Sequence, residues 1–164
     1  MQFVLIDRLL ELKPGTRARA CRTFPAVDPL FDDHFPGFAI VPAVLITEAM
    51  AQTAGWLLGC TQDFSRRPVL TMIHKAKFRK LVFPGEELEL MAEIVSHRHD
   101  GFEIAGEARV NSTRVAEATL QFHTFALTLA TPARDQFETW ARNTFRRLGG
   151  ERLLEKQTWT ATIE

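Results

Sequence analysis

From Pro42 to about Gly59 the chain reads PAVLITEAMAQTAGWLLG, with no proline after the first residue. Proline is tolerated in the first turn of a helix, where its missing N–H would have no helical partner, so the stretch reads as one long helix. Its faces are nearly all apolar or small, from Ala43, Val44 and Ile46 through Met50 to Trp56 and Leu57. A helix that is apolar all round must be buried, so the rest of the chain has to wrap it. At 164 residues the chain is long enough to do so as one domain, burying roughly two-thirds of the surface its unfolded form exposes.

The wrapper follows the helix. Apolar residues alternate at 88–94 (Leu88, Leu90, Ala92, Ile94), at 102–110 (Phe102, Ile104, Ala108, Val110) and again at 116–122, the period of strands. Turn residues separate the runs: Pro84 and Gly85, Asp100 and Gly101, Asn111 and Ser112. An antiparallel meander around one buried helix is an α+β domain. Upstream, RARACRTF at 17–24 reads as a strand, and Phe3, Leu5, Ile6, Leu9 and Leu10 are spaced for a short helix closed at Pro14 and Gly15. Downstream, Thr131 and Pro132 open an amphipathic helix with Phe137, Trp140, Thr144 and Leu148 on one face, ending at Gly149 and Gly150. We therefore expect a main domain over 1–130 and a C-terminal extension over 131–164, a helix packed on that domain.

Composition narrows the function. Lys and Arg number 20, as do Asp and Glu, so zero net charge offers no global attraction to nucleic acid or an anionic membrane. Any charged partner must be held locally. The two cysteines, Cys21 and Cys60, form neither a metal-spaced pair nor a disulfide framework, which suits a reducing compartment and points to the cytoplasm. The N-terminal segment mixes acidic with apolar residues, unlike a signal peptide, and no run approaches the roughly 20 apolar residues of a bilayer span. There is no Gly-rich phosphate loop, and no cofactor is indicated. His97 and His99, read as sharing a strand face, lack a further ligand beside them, so no metal is expected.

Two residues carry possible chemistry. Glu48 shares a helical stripe with Val44, Gln52 and Gly55, by the three-and-four spacing rule. An ionised carboxylate among such neighbours suffers desolvation unless paired or hydrogen-bonded, so Glu48 is either a poised acid or a residue that reaches solvent or a structural partner at the helix edge. His34 opens His-Phe-Pro-Gly, which suits a tight turn with Pro36 second and Gly37 third. A histidine held there is either a general base near neutral pH or an exposed polar residue.

The string from His34 to Gln52 resembles the 3-hydroxyacyl-acyl carrier protein dehydratases of bacterial fatty-acid synthesis, a hotdog-fold family. The matching pieces are HFPG at 34–37, PAVL at 42–45, and Glu48 followed by the Ala51-Gln52 pair, at the family's His-to-Glu spacing. HKAKFRKLVFPGEEL at 74–88 and FVLIDRLLELKPG at 3–15 resemble two further family blocks in the right order, so the likeness covers about 3–125. It implies a curved antiparallel sheet wrapped around a long central helix, with an added C-terminal helix here.

The resemblance also implies a reaction. A 3-hydroxyacyl thioester loses water to become a trans-2-enoyl thioester: His34 takes the proton beside the carbonyl, and Glu48 donates to the departing hydroxyl. The N–H of Ala43, at the helix start, receives the charge that builds on the thioester oxygen. The family has glycine at position 43 and usually proline at 39, where this chain has Ala43 and Ala39; neither change removes a backbone donor, but a methyl group can narrow the site. Gln52 orients Glu48 or the water. Histidine and glutamate come from different subunits, which implies a homodimer or a trimer of dimers.

Lys75, Lys77 and Arg79 alternate along a strand, with Lys80, Arg66 and Arg67 near in sequence, and read either as a dock for acidic acyl carrier protein or as a solvated, charge-protected edge strand. Two rival readings remain: a hotdog acyl-thioester hydrolase, against which HFPG argues, and a catalytically silent acyl-chain binding subunit, which Ala43 and Ala39 leave open.

Overall fold

The computed structural model describes residues 3–31, 34–126 and 131–160; the domain boundary expected at 130 falls outside them. The predicted helix forms over Ala43–Thr61 (α1), with Pro42 as its N-cap. Around it lie six strands, Arg8–Lys13 (β1), Arg17–Thr23 (β2), Arg66–Phe78 (β3), Glu87–Arg98 (β4), Gly101–Val110 (β5) and Thr113–Ala126 (β6). They form one antiparallel sheet in the order β1-β2-β4-β5-β6-β3. The three meander strands read from period-two alternation are β4, β5 and β6, and their Leu88, Leu90, Ile104 and Leu120 are fully buried.

The sheet packs against α1 through β2 to β6. Ala49, Met50, Ala54, Leu57 and Leu58 have no solvent exposure. By length and apolarity alone α1 would pass for a membrane-crossing helix; here most of its apolar surface faces the sheet. One stripe does not. Val44 is 72 % exposed, and Glu48, Gln52, Gly55 and Trp56 are only partly buried, so the helix is wrapped on most sides rather than all.

The expected N-terminal helix is corrected by the structure: residues 3–7 form neither helix nor strand, and Arg8–Lys13 is strand β1. The pairing of β1 with β2 skips Leu10 between Leu9 and Glu11, a β-bulge. That extra residue brings Leu9 and Leu12, both buried, onto the same face three positions apart, which imitates the spacing of a helix.

The extension forms two helices, Thr131–Arg147 (α2) and Gly150–Thr160 (α3). Gly149, at φ 84°, supplies the left-handed residue between them, which a side chain would strain. Phe145 and Leu148 join the hydrophobic core, and the N–H of Leu9 donates to the carbonyl of Leu148 at 2.8 Å. α3 packs near β1, which covers that edge of the sheet, whereas β3 forms the opposite edge.

Met50 lies over Gly106 of β5, where an added Cβ would sit 3.3 Å from its sulfur. Truncating Met50 to alanine leaves a void between helix and sheet, with an expected loss of about 2–5 kcal/mol, to be read from urea denaturation.

Candidate active site

The HFPG turn forms as its residues predict. The N–H of Phe38 donates to the carbonyl of Phe35 at 2.8 Å, with Pro36 and Gly37 at the two central positions and Gly37 at φ 76°. His34 lies just before it. Its backbone carbonyl accepts from the N–H of Ile40 at 3.1 Å, and its Nδ1 lies 3.2 Å from the carbonyl oxygen of Ile40. A carbonyl only accepts, so in the neutral ring Nδ1 carries the hydrogen and Nε2 keeps its lone pair. The ring also stacks on Phe35, centroids 4.7 Å apart.

This loop is braced by a segment far away in sequence. The N–H of Val41 donates to the carbonyl of Val82 at 2.8 Å, and Phe38 meets Phe83 edge to face at 5.8 Å. Phe83 begins a turn closed by its own N–H donating to Glu86 Oε2 at 2.8 Å. The FPGEE block thus holds the HFPG block in place, a relation that no spacing along the chain revealed.

Pro42 contributes no side-chain cap, so the first amides of α1, that of Ala43 included, have no intrahelical acceptor and face outward with the positive end of the helix. Ala43 is half-buried.

Glu48 sits on the stripe of α1 that the sheet leaves uncovered. Gln52, one turn on, donates from Nε2 to Glu48 Oε1 at 3.0 Å and to the carbonyl of Phe3 at 3.3 Å, while its Oε1 accepts the N–H of Leu5 at 2.8 Å. One amide side chain thereby ties the carboxyl group to the N-terminal segment. Glu48 and Gln52 line a cavity of about 340 Å³ that continues along α1 past Gly55, Trp56 and Gly59 to Phe137 and Trp140 of α2. His34 is not among its lining residues, and among the described contacts none joins His34 to Glu48 within the chain.

Arg67, at the start of β3, also lines this cavity. Its guanidinium lies 3.0 Å from the ring centroid of Phe137, its Nε and Nη2 are buried without a hydrogen-bond partner, and burial lowers its pKa below the usual arginine value. The aromatic spacing of residues 137 and 140 marked a buried helix face, but nothing in it placed that face beside Glu48.

The other candidates lie elsewhere. Lys75 and Lys77 are exposed on β3, while Arg79 falls one residue beyond the strand, next to exposed Lys80, and binds Glu117 at 2.7 Å. Glu107 and Glu117 border the same surface, so the cations there are interleaved with carboxylates. His97 and His99 do not share a strand face: β4 ends at Arg98, and His99 sits in the following turn at φ 52°. His97 stacks instead on Phe102. Among the described residues no group of three or more His, Cys, Asp or Glu is placed to hold a metal. Burial, with the charge of Asp63, pushes the Cys60 thiol up to about 12, and burial raises that of Cys21, so neither is a ready nucleophile.

The FabA-like domain family matches residues 1–119. The chain belongs to the FabA-like family. Within it, the chain is 41 % identical over 121 residues to the 3-hydroxyacyl-[acyl-carrier-protein] dehydratase FabZ of Syntrophotalea carbinolica, covering 73 % of this chain and 82 % of that one. It is 40 % identical over 133 residues to the FabZ of Symbiobacterium thermophilum, covering 80 % and 94 %. The fold agrees with a hot-dog-like protein from Thermanaerovibrio acidaminovorans at TM-score 0.60 and 12 % identity, over 80 % of this chain and 93 % of that one. The FabA-like match ends within β6, before α2 begins.

Replacing Gln52 with leucine removes three hydrogen bonds and strands the Leu5 N–H. We expect a cost of about 1–3 kcal/mol, seen as a fall of about 2–4 °C in Tm per kcal/mol.

Proposed function

We propose that this protein is a hydro-lyase of fatty-acid synthesis that dehydrates 3-hydroxyacyl thioesters to trans-2-enoyl thioesters, with acyl carrier protein as the thioester carrier. The observation that carries the reading is the placement of two side chains. With Nδ1 turned to the carbonyl of Ile40, His34 leaves Nε2 free, and Glu48 is held by Gln52 at a largely apolar cavity. The relatives in the FabA-like family named as FabZ dehydratases support the same reaction.

In this reading His34 Nε2 takes the proton from the carbon next to the thioester carbonyl. The electron pair released forms the new double bond as the bond to the 3-hydroxyl breaks, and Glu48 delivers the proton with which that hydroxyl departs as water. Charge that gathers on the thioester oxygen meets the free N–H of Ala43. The methyl group of Ala43 leaves that donor intact.

The site is shared between two copies of the chain. Support comes from the separation of His34 from the Glu48 cavity and from the β3 edge. Along that edge strand of 13 residues nearly every side chain from Val69 onward is exposed, and Val69, Met72, Ile73 and Phe78 leave apolar surface in solvent. A strand edge of this length, with apolar side chains exposed along it, is a template for pairing with another strand. Phe35, Phe38 and Val44, exposed near His34 and at the start of α1, extend the apolar surface. Lys75, Lys77, Arg79 and Lys80 are the docking residues for acidic acyl carrier protein, an association steered by charge and weakened by salt.

His34→Ala and Glu48→Gln should each lower turnover by at least about 10²–10⁴-fold while leaving the circular dichroism spectrum unchanged. Mixing the two inactive proteins under conditions that exchange subunits should restore turnover, because a mixed dimer contains one site with both native groups. Near-native activity of either variant would defeat the two-residue mechanism, and failure of exchanged mixtures to recover would defeat the shared site.

A further inference from the structure

We infer that helix α2 is the far wall of the acyl-binding cavity, and that Trp140 with Phe137 sets the longest acyl chain the protein accommodates. The inference rests on the acyl-thioester reading above and assigns helix α2 a part in it.

The cavity that begins at Glu48 runs along the uncovered stripe of α1. From Glu48 to Trp56 is eight residues, about 12 Å at the rise of a helix. Most of its wall is apolar: Phe3, Val4, Leu70 and Phe122 line the sides. Gly55 leaves the path open, since an added Cβ there would meet nothing within 4 Å. Beyond Trp56 the cavity meets α2. Trp140 lies against Trp56 with ring centroids 6.2 Å apart, and Phe137 packs on Trp140 at 5.7 Å.

Three contacts hold that wall in place. Phe145 of α2 stacks on Trp56 at 5.8 Å and meets Phe64 edge to face at 5.1 Å. Arg67 lies over the opposite end of the group, on Phe137. The helix is therefore anchored by buried Phe145 and Leu148, while Trp140 remains 44 % exposed at the cavity. A side chain so placed can change the cavity without dismantling the core.

The occupant this cavity suits is an unbranched apolar chain. Its polar groups are concentrated at the Glu48 end and at Arg66 and Arg67, and its volume of about 340 Å³ lies at the small end of ligand pockets. The FabA-like match ends at residue 119, and the residues of this wall lie beyond it. Helix α2 gives this protein its own length limit on a common reaction.

The test is binding of unreactive amide-linked 3-hydroxyacyl-pantetheine analogues of increasing chain length, measured by isothermal titration calorimetry on the full-length protein. Affinity should rise about fourfold per added methylene while the chain still enters apolar surroundings, then stop rising at a defined length. Trp140→Ala should move that break to longer chains by two carbons or more, Trp140→Phe should return it towards the native value, and Gly55→Leu should move it to shorter chains. Arg142→Ala, on the exposed side of α2, should leave it in place. An unchanged break in Trp140→Ala, or no rise with chain length in the native protein, would overturn the inference. Because binding needs no turnover, a shifted break without dehydration would sink the dehydratase reading and keep the wall, whereas dehydration with an unmoved break would do the reverse.

Discussion

Burial of α1 against one face of the sheet is the constraint on which the other features depend. The helix places Ala49, Met50, Ala54, Leu57 and Leu58 in the core with no exposure. At roughly 1.5–3 kcal/mol for each large apolar side chain removed from water, that face dominates the placement of the helix. A six-stranded sheet covers only part of a cylinder, and the stripe through Val44, Glu48, Gln52 and Gly55 remains outside it. The carboxyl group occupies the one stripe where a polar group can sit without entering the core. The N-terminal segment and α2 then enclose the stripe without filling it, which leaves a cavity beside Glu48.

The second group depends on that helix through its start. Pro42 begins α1, and the eight residues before it include the turn that orients His34. The bond from Val41 to Val82 and the contact of Phe38 with Phe83 prevent this loop from swinging with respect to the sheet. A base that must meet a carbon acid within hydrogen-bond reach needs such bracing, since small displacements cost large factors in rate. In the proposed shared site, edge strand β3 is the surface through which a second copy would bring its own His34 to the Glu48 cavity of the first.

Much of this was legible in the residues. The helix after Pro42, the strands β4 to β6, the turn at Pro36 and Gly37 and the stripe shared by Glu48 and Gln52 all follow from spacing and turn chemistry, because each is decided by neighbours in sequence. The misreading of β1 as helical has a local cause, the bulge at Leu10 that places Leu9 and Leu12 on one face. What was not legible is non-local. Gln52 could be expected to meet Glu48 one turn away, but its bonds to Phe3 and Leu5 join residues 49 and 47 positions apart. The contacts of Arg67 with Phe137 and of Trp56 with Trp140 likewise depend on where α2 comes to rest, which helical periodicity leaves open.

The central claim is that this arrangement removes water from an acyl chain and leaves the thioester intact. Incubating the protein with a 3-hydroxyacyl thioester and, separately, with its saturated counterpart, while recording both enoyl absorbance and free thiol, tests it most directly. The account predicts enoyl product from the hydroxylated substrate and no thiol from either. Thiol release from both substrates would mean that the site activates water against the carbonyl, and the absence of any reaction would mean that the cavity only binds; either result contradicts the account.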